Sequence, residues 1–302
     1  MLTETDLYQS FLDIFASNKR MYWVYLLSSL MIALVYILMF DKERKINLSS
    51  KLWLHPSAIL DYKYFILSFF IKALLIFPIV FSAKEVSLFI YEFLLEHYGY
   101  IRIRYFSYNE VMILFTISLF VFSDFTRYWL HRFFHFSSFL WEFHKIHHSA
   151  KVLTPITFYR VHPIENLLFG FRYSLSIGLI SGVFLYLFGA MIGVIEVVGV
   201  NVILFVFSIC GSNLRHSHIK LSYPQILESI FISPCQHQIH HSSRYANKNF
   251  GGYLACWVKV FRTIQYSNNS KFYKYGIETK DFNSINNILF MPFKKLRNKY
   301  AK

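Results

Sequence analysis

The sequence predicts an all-α fold: an integral membrane helical bundle of about four to six transmembrane helices, with a histidine-rich helical cap facing the cytosol. Three observations predict it. Hydrophobic residues fill 55% of the 302 positions and charged residues only 16%, a balance too apolar for an ordinary soluble domain. The apolar residues gather into runs of about 20, the length a spanning helix needs. The histidines cluster just past the ends of those runs.

Taken in order, the opening eighteen residues are mixed and polar, without the pattern of a cleavable signal peptide. Residues 22–40 form a charge-free run, and 64–82 a second with Lys72 as its only charge. Residues 86–97 read as an interfacial helix. The run at 111–122 is shorter, but its pattern continues past Asp124 to Leu130. Residues 167–190 and 191–210 make one apolar stretch, too long for a single crossing, so a hairpin turning near 189–193 is expected. Arg172 and Glu196 lie inside it, where charges usually face a protein interior or a polar cavity. The sequence divides into an N-terminal transmembrane region (1–110), a histidine-bearing domain (111–265) and a basic C-terminal tail (266–302) expected to pack loosely at the membrane surface.

The formal net charge is +14. The bases flank apolar runs, which points to anionic lipid headgroups rather than nucleic acid. Three segments carry them: Lys42, Arg44, Lys45 and Lys51; Arg127, Arg132, Lys145, Lys151 and Arg160; and the tail after Cys210. Five crossings place all three on one face, the cytosolic one by the positive-inside rule. Lys19 and Arg20 oppose this mildly. Cys210, Cys235 and Cys256 have no paired spacing, so neither a disulfide framework nor a zinc ribbon is expected.

Eleven of thirteen histidines lie between His131 and His241. They form His131-x-x-x-His135, His144-x-x-His147-His148 and His237-x-x-His240-His241, with His162, His216 and His218 between. Residues at i, i+3 and i+4 share a helix face, so each cluster presents imidazoles close enough to share or bracket a metal ion. At this histidine frequency a single H-x-x-H-H arises by chance about 2–3% of the time, and two far more rarely. His55 and His97 stand apart and read as bystanders. So many imidazoles without matching cysteines favour two metals over one structural zinc. Iron, zinc, copper and nickel all accept imidazole.

The succession of these clusters resembles the fatty acid hydroxylase / sterol desaturase superfamily. Flanking residues strengthen the resemblance: Asp124-Phe-Thr-Arg-Tyr-Trp-Leu-His131-Arg, Arg160-Val-His162-Pro-Ile-Glu165, Asn213-Leu-Arg-His216-Ser-His218, Ser233-Pro-Cys-Gln-His237 and Asn249-Phe-Gly251-Gly. It covers residues 123–263. The closing stretch departs from the family's W-D-x-x-F-G-T, reading Trp257-Val-Lys-Val-Phe-Arg-Thr263. The resemblance implies a fatty acid hydroxylase-like catalytic domain with two iron ions, O₂ as co-substrate, a membrane-bound lipid substrate and an electron donor of cytochrome b5, ferredoxin or reductase type. It implies His131, His135, His144, His147, His148, His237, His240 and His241 as ligands, His216 and His218 as further candidates, and His162 as ligand or outer neighbour. Asp124 and Glu165 are expected to hold ligand imidazoles by their second N–H. The competing reading is a non-catalytic metal-binding or metal-transport protein, but no internal repeat of the transporter kind is visible.

Overall fold

A computed structural model describes residues 15–40, 49–269, 274–279 and 281–300. Lys42, Arg44, Lys45 and most of the polar opening segment lie outside the described residues.

The N-terminal run becomes helix α1 (Trp23–Met39), whose Leu30, Met31, Leu34, Leu38 and Met39 side chains are exposed. Helix α2 (Pro56–Ile71) starts on His55, whose Nδ1 accepts from Ser57 N, and runs into a π-helical turn, Lys72–Ile76. Helix α3 (Ala83–Tyr98) and helix α4 (Tyr108–Phe136) each open with a Ser/Glu capping box, Ser82 with Glu85 and Ser107 with Glu110. His97 turns back on its own helix, donating Nδ1–H to Phe93 O. Helix α5 (Pro163–Phe188) begins with proline at its first position and ends at Gly189. Helices α4 and α5 are the two among the described residues long and apolar enough to cross a membrane.

The second limb of the expected hairpin differs. Residues 191–210 do not form one long helix. A two-stranded antiparallel hairpin, β1 (Glu196–Val197) and β2 (Val200–Asn201), precedes a short helix α6 (Val202–Ile209). Gly193, Gly199 and the β-branched residues between them favour extended backbone over helix. Glu196 is exposed on β1 rather than buried at depth. Arg172 does face the interior, donating to Ser123 O (2.8 Å) and Thr126 Oγ1 (3.2 Å) on α4.

Helix α3 lies directly on α5. A Cβ on Gly178 would sit 2.4 Å from Val86 Cβ, and one on Gly182 2.7 Å from Ile90 Cβ. Small residues four apart let the two backbones approach. The tail also departs from expectation. Helix α8 (Ile285–Tyr300) packs Ile288 into a core cluster with Phe282, Leu60, Tyr64 and Ile146. Between α6 and α8, helix α7 (Pro234–His240) carries the last histidine cluster on a capping box formed by Ser233 and Gln236.

Candidate metal centre

The site sits where α4 ends, α5 begins and α7 crosses. Helix α4 delivers His131 and His135 one turn apart. The chain then breaks into a short helix, Trp141–His144, and a 3₁₀ turn, His147–Ser149. His216 ends another 3₁₀ segment, Ser212–His216.

Nine histidines converge in two groups. His131, His135, His144, His148 and His240 form one, and His147, His216, His237 and His241 the other. Within each group the potential ligand atoms lie within 4.8 Å of one another. The clusters seen in sequence are therefore not the sites. His144 and His148 join the first group while His147 joins the second; His237 and His241 join the second while His240 joins the first. Residues four apart share a face and adjacent residues diverge by about 100°, so each H-x-x-H-H serves both groups and ties them together.

Hydrogen bonds from the far side of the rings fix their direction. His131 Nδ1–H donates to Phe250 O (2.9 Å), His147 Nδ1–H to Arg160 O (3.2 Å) and His240 Nδ1–H to Lys248 O (2.7 Å). His144 Nδ1–H donates to Glu165 Oε1 at 2.8 Å. Carbonyl oxygens only accept, as Glu165 does in its ionised form, which burial disfavours; with Glu165 ionised, each of these rings carries its proton on Nδ1 and leaves the Nε2 lone pair free. Nε2 atoms meet within the groups: His147 and His216 at 3.1 Å, His216 and His237 at 3.0 Å, His131 and His240 at 3.0 Å. Burial, and then the neighbouring imidazoles, push the pKa values of His144, His148, His216, His237, His240 and His241 well below the usual range. Burial brings His147 down to about 3. Converging neutral imidazoles, lone pairs inward, are the form that binds a metal cation. Buried nitrogens without a protein partner, among them both of His135 and both of His148, point the same way.

The remaining candidates fall outside both groups. His162 Nδ1 accepts from Ile164 N (3.1 Å), capping α5, and Nε2–H donates to Leu289 O (3.1 Å) on α8. Both of its nitrogens are occupied, and burial brings its pKa down to about 4. His218 stands edge-on to Trp53, with ring centres 5.2 Å apart. Glu165 holds an imidazole, but Asp124 does not. The Asp124 carboxylate accepts from Tyr253 N (2.8 Å), Leu254 N (3.0 Å) and Trp257 Nε1 (3.2 Å). It anchors the loop whose Phe250 carbonyl orients His131. Gly252 is required there, since a Cβ would lie 2.5 Å from Asp124 Oδ1. The departing segment Trp257–Thr263 thus keeps its tryptophan contact to this carboxylate.

Sequence reasoning missed Asp61. It lies in an apolar-looking stretch of α2, yet pairs with buried Arg160 at 2.5 Å. Arg160 also donates to Ser57 O (2.9 Å) and Ser149 Oγ (3.1 Å), fixing the carbonyl that orients His147. A lone acid within an apolar run was the available signal. Asn249 was quoted only as part of a motif. Its φ of 53° and its two bonds from Nδ2, to Gln236 O and Gln265 O at 2.9 Å each, set the turn into Phe250.

A cavity of about 230 Å³ opens beside both groups. Its lining includes His131, His144, His147, His216, His237 and Glu165.

Fold and site define a helical protein with two adjacent all-histidine groups, each of which could hold a metal ion. Residues 116–263 match the family model for fatty acid hydroxylase, and this segment, about half of the chain, is similar to the fatty acid hydroxylase / sterol desaturase superfamily. It is 31% identical over 147 residues to an ornithine lipid hydroxylase of Rhizobium tropici, covering 48% of this chain and 40% of that protein. It is 29% identical over 187 residues to a Delta(7)-sterol 5(6)-desaturase of Aspergillus fumigatus, covering 60% and 50% respectively. It is 26% identical over 162 residues to the alkylglycerol monooxygenase of Homo sapiens, covering 52% and 32%. The matched segment spans half or less of each of these relatives. No solved structure matches the chain.

Proposed function

We propose that the protein is a membrane-bound di-iron oxygenase that uses O₂ to hydroxylate or desaturate a C–H bond of a lipid. The observation that carries this is the division of the histidines into two buried groups sharing the same two H-x-x-H-H motifs. Motifs shared in this way would serve two metals at once, which a single-ion carrier does not need. His131, His135, His144, His148 and His240 would hold one iron, and His147, His216, His237 and His241 the other. The lipid-modifying activities named for the three relatives support the substrate class.

Two irons so held would supply the reduction of O₂ and the oxidising power that an unactivated C–H bond demands. Hydroxylation balances as R–H, O₂, two electrons and two protons giving R–OH and water. Desaturation takes a hydrogen from each of two adjacent carbons and gives an alkene and two waters from the same inputs. The electrons come from a donor of cytochrome b5, ferredoxin or reductase type. The chain's own residues orient and insulate. Glu165, Arg160 O, Phe250 O and Lys248 O keep four rings in one tautomer. Phe158, Val161 and Phe169 line the cavity and limit water. Helices α4 and α5, with α1, α2 and α3 beside them, form the membrane part, and the histidine groups lie at its cytosolic end. The apolar outer faces of α1 and α4 support the membrane assignment.

The test pairs metal analysis with lipidomics. Purified protein should hold two irons per chain, and cells expressing it should contain oxygenated or newly unsaturated lipids. His147→Ala should remove those lipids and lower the iron content while leaving the helical signal intact. Identical lipid profiles for wild type and variant would overturn the reading.

A further inference from the structure

Four arginines share the cavity beside the histidine groups: Arg20, Arg127, Arg172 and Arg215. Glu165 is the one carboxylate among its lining residues, and Oε1 of Glu165 is already committed to His144. Among the described residues, no carboxylate forms an ion pair with any of the four. Their partners are neutral. Arg20 donates to Asn213 Oδ1 (3.0 Å) and Ser212 O (2.9 Å) and lies 4.0 Å from the Phe158 ring centre. Arg215 donates to Gly252 O, and Arg172 to Ser123 O. Nε of Arg215 and Nε of Arg172 are buried without a partner, and Arg215 is only 4% exposed.

The buried Asp124 carboxylate acts on Arg127, Arg172 and Arg215 from behind the cavity wall, but its oxygens are committed to Tyr253 N, Leu254 N and Trp257 Nε1; one such acid does not balance four cations, and buried cations short of counter-charge are costly. Burial and the charge of Arg215 lower the Arg20 pKa to about 10, which still leaves it a cation at neutral pH. Guanidinium forks match the oxygens of carboxylate and phosphate. The arginines are also placed by the ligands: Arg127 precedes His131 by one turn of α4, and Arg215 adjoins His216.

We propose that this arginine wall seats an anionic group of the substrate, a carboxylate or a phosphate, so that the oxidised carbon lies a few bonds from the charged end. This rests on the lipid-oxygenase reading and narrows its substrate class. A cavity of about 230 Å³ is below the roughly 300–1,000 Å³ usual for a whole small-molecule ligand. It takes the head end of a lipid, and the remaining chain lies outside it.

The test measures binding as well as turnover. Arg127 makes no hydrogen bond among the described residues; it faces the Tyr253 ring at 5.7 Å and acts on Asp124 by charge alone, so Arg127→Gln disturbs least. Iron-loaded protein in neutral detergent is titrated with oleate and with dioleoyl phosphatidate, and with oleyl alcohol and dioleoylglycerol as uncharged counterparts. The charged probe should bind about tenfold tighter or more, the size of a hydrogen bond to a charged group. Arg127→Gln should weaken the charged probe alone, and Arg127→Lys should restore part of the preference. A preference for oleate assigns the site to carboxylate, and one for phosphatidate assigns it to phosphate; either supports the proposal. Equal binding of charged and uncharged probes by wild type overturns it. So does a loss of both probes alike in Arg127→Gln when iron content is unchanged. Lipid products formed without charge preference sink this inference alone. Charge preference without lipid oxidation sinks the oxygenase reading alone.

Discussion

Individual residues in the Arg160-x-His162-Pro-x-Glu165 element divide one task. Arg160 ties the segment before α5 to α2 and points a carbonyl at His147; Glu165 holds His144. The motif was legible in sequence, but its division of labour was not, because ligand and cap both look like histidine. His162 is the cap, with Nδ1 accepting from Ile164 N. Removing the partner of a ligand ring typically costs 10–100-fold in metal affinity. Glu165→Ala should therefore lose iron to a chelator about 10–100-fold more readily than wild type. Glu165→Gln, which keeps an acceptor oxygen, should fall between them. Equal iron retention in all three would show that Glu165 does not position His144. His162 gives a second prediction. Burial lowers its folded pKa to about 4, whereas an unfolded histidine titrates near 6.5. Its contribution is whole above about pH 6.5 and is lost as pH falls toward 4, because the unfolded chain takes up the proton first. Asparagine also caps well and does not titrate. Wild type should lose up to about 2 kcal/mol more stability than His162→Asn between pH 7 and pH 5, read from denaturation at both pH values.

At the scale of the element, the sequence periodicity was right about faces and wrong about continuity. His144, His147 and His148 are spaced as on one helix, but the backbone changes from α to 3₁₀ between His144 and His147. His147 joins the second group, apart from His144 and His148. Helix α7 achieves the same division without a break, by the divergence of His240 and His241. Neither outcome follows from spacing alone, since the partner of each ring lies on another element distant in sequence. The α3–α5 contact was hidden for a similar reason. Gly178 and Gly182 sat in an apolar run, and what they approach is fixed only when α3 folds back on them. A side chain at Gly178 would collide with Val86 and with the Ala83 carbonyl. Gly178→Val should lower stability in detergent by about 1–3 kcal/mol or more, the usual cost of overpacking. The iron content of the protein that stays folded should change little, because α3 contributes no histidine to either group. Unchanged thermal stability would mean that the two helices do not pack this closely.

The whole molecule explains why the tail matters to a centre it does not enter. Composition made the helical character and the two long apolar helices legible, since apolar runs are properties of contiguous sequence. The packing of residues 281–300 was not legible, because their polar average conceals a few inward apolar positions. Phe282 and Ile288 sit in one cluster with Ile146, the residue just before His147, and with Leu60 and Tyr64 of α2. Ile277 N donates to His148 O at 3.1 Å, and Leu289 O accepts from His162. The C-terminal segment therefore backs the short irregular stretch that supplies His144, His147 and His148, which has no long helix of its own to hold it. Truncating a buried phenylalanine or isoleucine to alanine costs about 2–5 kcal/mol. Part of that loss should fall on the histidine stretch. Ile288→Ala should therefore weaken iron retention as well as lower the melting temperature, although Ile288 touches no ligand ring. Phe290→Ala, on an exposed position of the same helix, is the control and should change neither. If Ile288→Ala lowers the melting temperature but keeps iron as wild type does, then α8 stabilises the bundle without supporting the metal centre.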